Sequence, residues 1–224
     1  MLQKHFGPNL TKNHSPKQEL NLKEDKEDMA LKIVLGTSNP NKVKEINEIT
    51  SGLDVEFILP DSDFNPSETG STFTENALCK ALGALDCDKN NNKYFMADDS
   101  GLCVDYLDGA PGIKSARYAE TPKKRIEKLL NALKDAKKEE RNAHFTCALV
   151  LINNKGEVLH ESLGICNGSI AHEEKGQNGF GYDPIFIVED RGVTMAELSE
   201  EEKNKISHRG RAFSDMIEYL KTIS

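Results

Sequence analysis

No two cysteines in this 224-residue chain lie two residues apart in a CxxC pair, and the five present (Cys79, Cys87, Cys103, Cys147, Cys166) are odd in number and widely spaced. That pattern excludes a disulfide framework or a compact zinc module and fits reduced, mostly buried thiols in a cytosolic protein. No apolar run approaches the length of a membrane span. An excess of positive charge is also missing: 29 Lys and Arg stand against 37 Asp and Glu, for a formal net charge of −8. A nucleic-acid backbone is therefore a poor candidate for the main partner, because phosphate contacts need a basic surface. One nucleotide held by a few local Lys and Arg side chains is not excluded. The glycines of a Walker P-loop are absent. Asn167-Gly168-Ser169 matches a glycosylation acceptor, by chance alone if the protein is cytosolic.

What is present suits a soluble globular protein with 29% charged and 37% apolar residues. The length allows one substantial domain, or two lobes around one cleft. Residues 1–29 are polar, mixed in charge and without apolar periodicity, which predicts a disordered extension. They carry Glu19, Glu24, Asp25, Glu27 and Asp28, unlike an Arg-rich, acid-poor presequence, and they lack the apolar core of a secretory signal. The folded domain is expected over 30–224.

Lys32–Gly36 reads as a buried strand. After the polar turn Thr37-Ser38-Asn39-Pro40-Asn41, the apolar residues Val43, Ile46 and Ile49 recur at helical spacing. Strand, polar turn, helix is a layout that points backbone N–H groups at an anion. Lys42 in the first turn opposes the helix dipole, a mismatch that a bound phosphate would offset; an ordinary capped helix with a solvated lysine is the alternative. Val55–Leu59 predicts a second strand, and Thr72 to Leu85 a helix carrying Glu75, Asn76 and Lys80. Thr72 with Glu75 fits a capping box, which is job enough for Glu75. Glu68 precedes the helix, no cap explains it, and it is the better candidate for a metal or water contact.

The chain is organised around Ala97–Gly112, where Asp98, Asp99, Ser100 and Gly101 follow the short β-prone run Tyr94-Phe95-Met96. Adjacent strand residues point to opposite faces, so one acid of the pair can face a given cleft. Such an oxygen-rich cluster suits Mg²⁺, and it equally suits a plain strand-end turn. Beyond it, 113–119 reads as a linker, Thr121-Pro122 opens a helix to about Lys137, and Ala143–Ile152 with Glu157–Cys166 predict an antiparallel hairpin whose His144 and His160 are structural. In the loop 176–184, Phe180 offers a face to a flat ligand and Asp183 an acceptor, or the aromatic simply plugs the core. Ser207 is a natural N-cap for a closing helix to about Leu220. His208 and Arg209 just inside it oppose the dipole as Lys42 does, and one anionic ligand explains both mismatches.

Together these stretches resemble the inosine triphosphate pyrophosphatase family, Mg²⁺-dependent enzymes that hydrolyse non-standard purine nucleoside triphosphates. The resemblance rests on Thr37–Lys42, Glu68–Ala77, Ala97–Leu102, Gly109–Tyr118, Phe180–Pro184 and Glu201–Arg209, which stand in the family's order. It implies an α/β fold: a long mixed β-sheet flanked by helices, in two lobes with the active site in the cleft between them. A homodimer is implied too, and the cysteine pattern places it in the cytoplasm. Thr37, Ser38, Asn39, Lys42 and Lys203 would grip the triphosphate. Glu68 and Asp99 would hold Mg²⁺, with Asp99 also the general base for the attacking water. Ser100 would position the substrate. Phe180 would stack on the purine, with Gly181 and Tyr182 beside it, while Asp183, His208 and Arg209 read its edge. A pyrophosphatase of the same architecture with another preference, for example a canonical or modified pyrimidine triphosphate, and a non-catalytic nucleotide sensor are the competing readings.

Overall fold

The computed structural model describes residues 30–60 and 63–223; the N-terminal extension expected over 1–29 lies outside them. A six-stranded mixed sheet runs in the order β2-β1-β3-β4-β5-β6. The strands are β1 (Leu31–Leu35), β2 (Val55–Ile58), β3 (Tyr94–Val104), β4 (Asn142–Asn153), β5 (Val158–Ile170) and β6 (Phe186–Val188). β1 pairs in parallel with β2 and β3, and the remaining pairs are antiparallel. The helices are α1 (Pro40–Ile49), α2 (Phe73–Asp86), α3 (Pro122–Ala132), α4 (Glu200–Ile206) and α5 (His208–Leu220).

Helix starts follow local chemistry. Thr72, Thr121, Ser199 and Ser207 each accept a backbone N–H from the first turn of the helix they precede, as side-chain N-caps do. Asn39 does the same for α1, with Pro40 at its first position. Glu75 departs from the expected capping box. Thr72 Oγ1 accepts Glu75 N–H as expected, but the close hydrogen bonds of the Glu75 carboxylate come from Ser71 N–H and Oγ. The segment read as a linker folds into a 3-10 helix over Gly112–Arg117, and the helix expected to reach Lys137 stops at Ala132.

Three cores fix the layers. On one face of the sheet, Ile33, Leu35, Met96 and Leu149 pack with Ile46 of α1 and Phe213 and Met216 of α5. On the other face, Val34, Phe95 and Val150 pack with Ala77, Ala81 and Ala84 of α2, whose small residues let the helix approach closely. The third core gathers the far ends of β3, β4 and β5, through Leu102, Phe145 and Cys166, with Leu129 and Leu133 of the α3 region and Phe186 of β6. This third core is the second lobe. Arg141 ties it together from inside, its guanidinium donating to the carbonyls of Leu133, Ile170 and Ala171 at 2.7–2.8 Å. Cys147 and Cys166 are buried. Among the described residues no helix is long and apolar enough to cross a membrane.

One difference from the sequence expectation decides where the chemistry sits. The acids Asp98 and Asp99 do not end a strand; β3 continues through them to Val104, because β4 pairs with it along the whole span from Tyr94↔Asn153 to Val104↔Ala143. What ends is the neighbour: β1 pairs with β3 as far as Leu35↔Met96 and then leaves for α1. The acids thus lie mid-strand, on a strand edge that has lost its partner.

Candidate active site

Past Met96, the edge of β3 needs new partners for its backbone. Gly36 N–H still donates to Met96 carbonyl, and the next carbonyl on that edge, Asp98, accepts from the ammonium groups of Lys42 and Lys80, each at 3.4 Å. The pleat sends the two acid side chains apart. Asp98 points to the face of α1 and α5. Asp99 points to the face of α2.

Asp98 is fully buried and meets Lys42 Nζ at 2.8 Å, Arg209 Nη2 at 3.0 Å and Ser100 Oγ at 2.9 Å. Burial pushes its carboxyl up, but Lys42, Arg209 and Lys80 outweigh that and hold it far below the usual carboxylate range. Arg209 also pairs with Glu45 of α1. Glu45 in turn takes Lys203 of α4 at 2.5 Å, and Lys203 reaches Asp183 at 2.7 Å. A continuous buried chain of charges therefore links β3, α5, α1, α4 and the Phe180 loop. The dipole-opposing cations Lys42 and Arg209 share an anion after all, and in this structure it is Asp98. His208 is no exception to the dipole rule, because burial, helped by Arg209 and Lys203, keeps its pKa well below the ordinary histidine value. Its neutral ring stacks on Phe145 at 4.7 Å between centroids.

Asp99 faces Lys80 Nζ at 2.5 Å, and the same ammonium meets Glu68 Oε1 at 2.9 Å. Burial raises the Asp99 pKa, a pull that Lys80 counters in part. The other oxygen of Glu68 is held by Arg117 at 2.8 Å. Asp99 Oδ2 is buried with no partner. Two carboxylates with a spare buried oxygen are a hard, all-oxygen donor set that suits Mg²⁺, which takes one or two carboxylates and completes its shell from water and phosphate. Among the described residues no group of three or more His, Cys, Asp or Glu gathers as a protein metal cage.

Lys42, Glu68, Lys80, Asp99, Lys203 and Arg209 line one cavity of about 400 Å³, in the size range of small-molecule sites, with Asp98 and Glu45 buried behind its wall. Every residue singled out from the sequence borders it: Thr37, Ser38, Asn39 and Lys42 at the start of α1, Glu68 before α2, and Asp99 and Ser100 on β3. Phe180, Gly181, Tyr182 and Asp183 border it from the loop before β6, with Lys203, His208 and Arg209 from α4 and α5. Their duties are not all as expected. Tyr182 donates its hydroxyl to Ser115 carbonyl at 3.0 Å, inside the core. Asp183 Oδ2 accepts from Phe180 N–H and Lys203, both at 2.7 Å, so it fixes the aromatic and the lysine together. The Phe180 ring lies with Lys203 Nζ 4.8 Å from its centroid.

Gly179 makes that loop possible. Its φ is +73°, and a Cβ there would run into Asp183 Oδ2. Gly179→Ala is expected to cost about 1–3 kcal/mol of stability, from left-handed strain plus displacement of Asp183, measured as a shift in urea midpoint at unchanged m. Residues that sequence reasoning left without a role are Glu45, Lys80, Asp98 and Arg117. Asp98 had a signal in its adjacency to Asp99. Glu45 and Lys80 sit on helix faces where a charged residue looks solvated until distant segments cover it, whereas Arg117 stays half exposed at the end of its 3-10 helix.

Fold and site together define an α/β protein whose cleft opposes cationic helix starts to acids on an open strand edge. The chain belongs to the Ham1 family, whose sequence pattern it matches over residues 33–219. It is 47% identical over 194 residues to a dITP/XTP pyrophosphatase from Bacillus subtilis strain 168, covering 84% of this chain and 96% of that protein. A dITP/XTP pyrophosphatase from Synechocystis sp. is 43% identical over 185 residues, covering 83% and 93%. Among solved structures, a HAM1 protein from Coxiella burnetii superposes with TM-score 0.76 at 42% identity, covering 86% of this chain and 99% of that one. A nucleoside-triphosphatase / dITP/XTP pyrophosphatase from Mycobacterium abscessus gives 0.66 at 38%, covering 83% and 98%.

Proposed function

We propose that this protein hydrolyses non-standard purine nucleoside triphosphates, ITP, dITP and XTP, to the monophosphate and pyrophosphate, and so clears them from the nucleotide pool. The observation that carries this reading is the meeting, in one cavity, of Lys42, Lys203 and Arg209 from three helices with Glu68 and Asp99. The named activity of the relatives supports it.

Glu68 and Asp99 would hold Mg²⁺, whose chemistry here is charge neutralisation on the phosphates. Thr37, Ser38 and Asn39 present polar groups at the start of α1, and Lys42 and Lys203 bind phosphate oxygens and stabilise charge on the leaving pyrophosphate. Asp99 orients the attacking water and takes its proton, so no covalent enzyme intermediate forms. Ser100, hydrogen-bonded to Asp98, is positioned beside the reacting phosphate. Phe180 stacks on the base, held in place by Asp183. The edge of the purine is read by His208 and Arg209, each of which has a buried ring or guanidinium nitrogen without a partner, Nδ1 and Nε. A donor at the 6-keto oxygen would face a second donor in adenine, and a site built on a buried polar contact discriminates by several orders of magnitude.

A screen of purified protein against nucleoside triphosphates, with pyrophosphate detection and with or without Mg²⁺, tests this. ITP, dITP and XTP are expected to turn over with Mg²⁺ far faster than ATP, GTP or dUTP. Equal or faster turnover of ATP, GTP or dUTP rejects the substrate assignment, and binding without turnover favours a sensor. The homodimer and cytosolic location belong to the same proposal, and sedimentation is expected to give one species near twice the 24.9 kDa chain mass.

A further inference from the structure

Lys80 stands where a metal should go. Its ammonium contacts Asp99 Oδ1 at 2.5 Å and Glu68 Oε1 at 2.9 Å, the two carboxylates with the right chemistry for a divalent cation. It also shares the Asp98 carbonyl with Lys42, so it already lies beside the lysine assigned to the phosphates. Through the ion-paired network of the cleft, five cations (Lys42, Lys80, Arg117, Lys203, Arg209) meet five carboxylates (Glu45, Glu68, Asp98, Asp99, Asp183). A triphosphate entering the site meets these five cations already engaged with protein carboxylates. A divalent cation entering alone meets an ammonium on its two ligands.

We propose that Lys80 is an exchangeable cation: it occupies the seat between Glu68 and Asp99 in the nucleotide-free protein and moves to the phosphates when a divalent metal arrives with the triphosphate. The exchange is favourable from both sides. A metal on the carboxylates releases the lysine from them, and a phosphate gives the released lysine a new anion within reach of its long, flexible stem. Metal and triphosphate therefore strengthen each other's binding by the same factor, as linkage requires. Free metal ions bind poorly, and the seat fills with the metal–nucleotide complex. Arg117 stays on the outer oxygen of Glu68 throughout and keeps that carboxylate aimed at the seat.

The proposal rests on the function proposed above, but its test is read without substrate or turnover, so the two fail separately. Mn²⁺ is titrated into nucleotide-free protein and free Mn²⁺ is followed by electron paramagnetic resonance. Lys80→Met and Lys80→Gln are expected to bind Mn²⁺ at least about tenfold more tightly than the parent protein, within the usual range of coupling between sites. Lys80→Arg keeps a cation on the seat and is expected to stay weak. A merely structural role for Lys80 predicts weaker binding in the variants, never tighter. Adding Glu68→Gln to Lys80→Met is expected to abolish the gain. Equal or weaker Mn²⁺ binding by folded Lys80→Met, or a gain that survives Glu68→Gln, overturns the proposal. Should the variants not fold, crystals of the parent protein grown with Mn²⁺ decide it by anomalous scattering. No peak between Glu68 and Asp99 without nucleotide, and a peak there with a bound triphosphate analogue, is the expected result; a peak without nucleotide overturns it.

Discussion

Replacing Asp99 by Asn is expected to lower kcat for ITP by about 10²–10⁴-fold, the usual contribution of a positioned general base, while the nucleotide still binds. The two side chains are nearly the same size, so the packing of β3 against α2 is kept. Asn retains an oxygen for Lys80 or a metal and loses the ability to accept a proton. Burial already disfavours the ionised form of Asp99, and a carboxylate made less comfortable by its surroundings is a stronger base. The decisive comparison is turnover against binding in the same variant: pyrophosphate release for the first, and fluorescence competition or calorimetry with ITP for the second. Loss of both together would mean that Asp99 serves binding of the metal–nucleotide complex and that the base is another group. Near-normal turnover would remove Asp99 from the chemistry altogether.

The two helix starts that carry the wrong charge sign, Lys42 and Arg209, were the most informative feature of the sequence. They lie 167 positions apart in the chain, yet both end on Asp98. Local rules could flag them because the dipole argument needs no tertiary knowledge. Local rules could not say which anion resolves the conflict, since a protein carboxylate and a ligand phosphate look alike from one helix turn. The extent of β3 was illegible for a similar reason. Asp-Asp-Ser-Gly is turn chemistry by composition, but the pairing of β4 along the whole strand overrides it, as tertiary context overrides strand propensity generally. Lys80 and Glu45 were illegible in a third way. Each sits on an amphipathic helix at a position where charge is ordinary, and only the arrival of β3, α4 and α5 takes them out of water. Capping residues, by contrast, act through bonds a few residues long, so Thr72, Thr121 and Ser207 could be read from the sequence directly.

Arg209→Gln is expected to destabilise the protein by about 3–5 kcal/mol, the cost of breaking a buried ion pair from one side. The guanidinium is 2% exposed and pairs with both Asp98 and Glu45. Its removal leaves two buried carboxylates facing Lys42 and Lys203 alone. In the parent protein the Asp98 carboxyl is held well below its ordinary range. A folded pKa depressed in this way stabilises the fold above the unfolded pKa, about 3.9 for an aspartate, and that contribution fades as pH falls through the folded value. Loss of the guanidinium raises the folded Asp98 pKa, so the deficit of the variant is full at neutral pH and shrinks as acid protonates the carboxyl. Urea denaturation of both proteins from pH 7 down through and below about pH 4, the unfolded carboxyl's range, reads this directly, with the gap in midpoints narrowing at the acid end. Adding Asp98→Asn to Arg209→Gln neutralises one stranded charge and is expected to recover part of the loss at pH 7, where Asp98→Asn alone destabilises. A deficit that is independent of pH, and not relieved by Asp98→Asn, would assign the role of Arg209 to packing of its long side chain under the Phe180 loop instead of to charge.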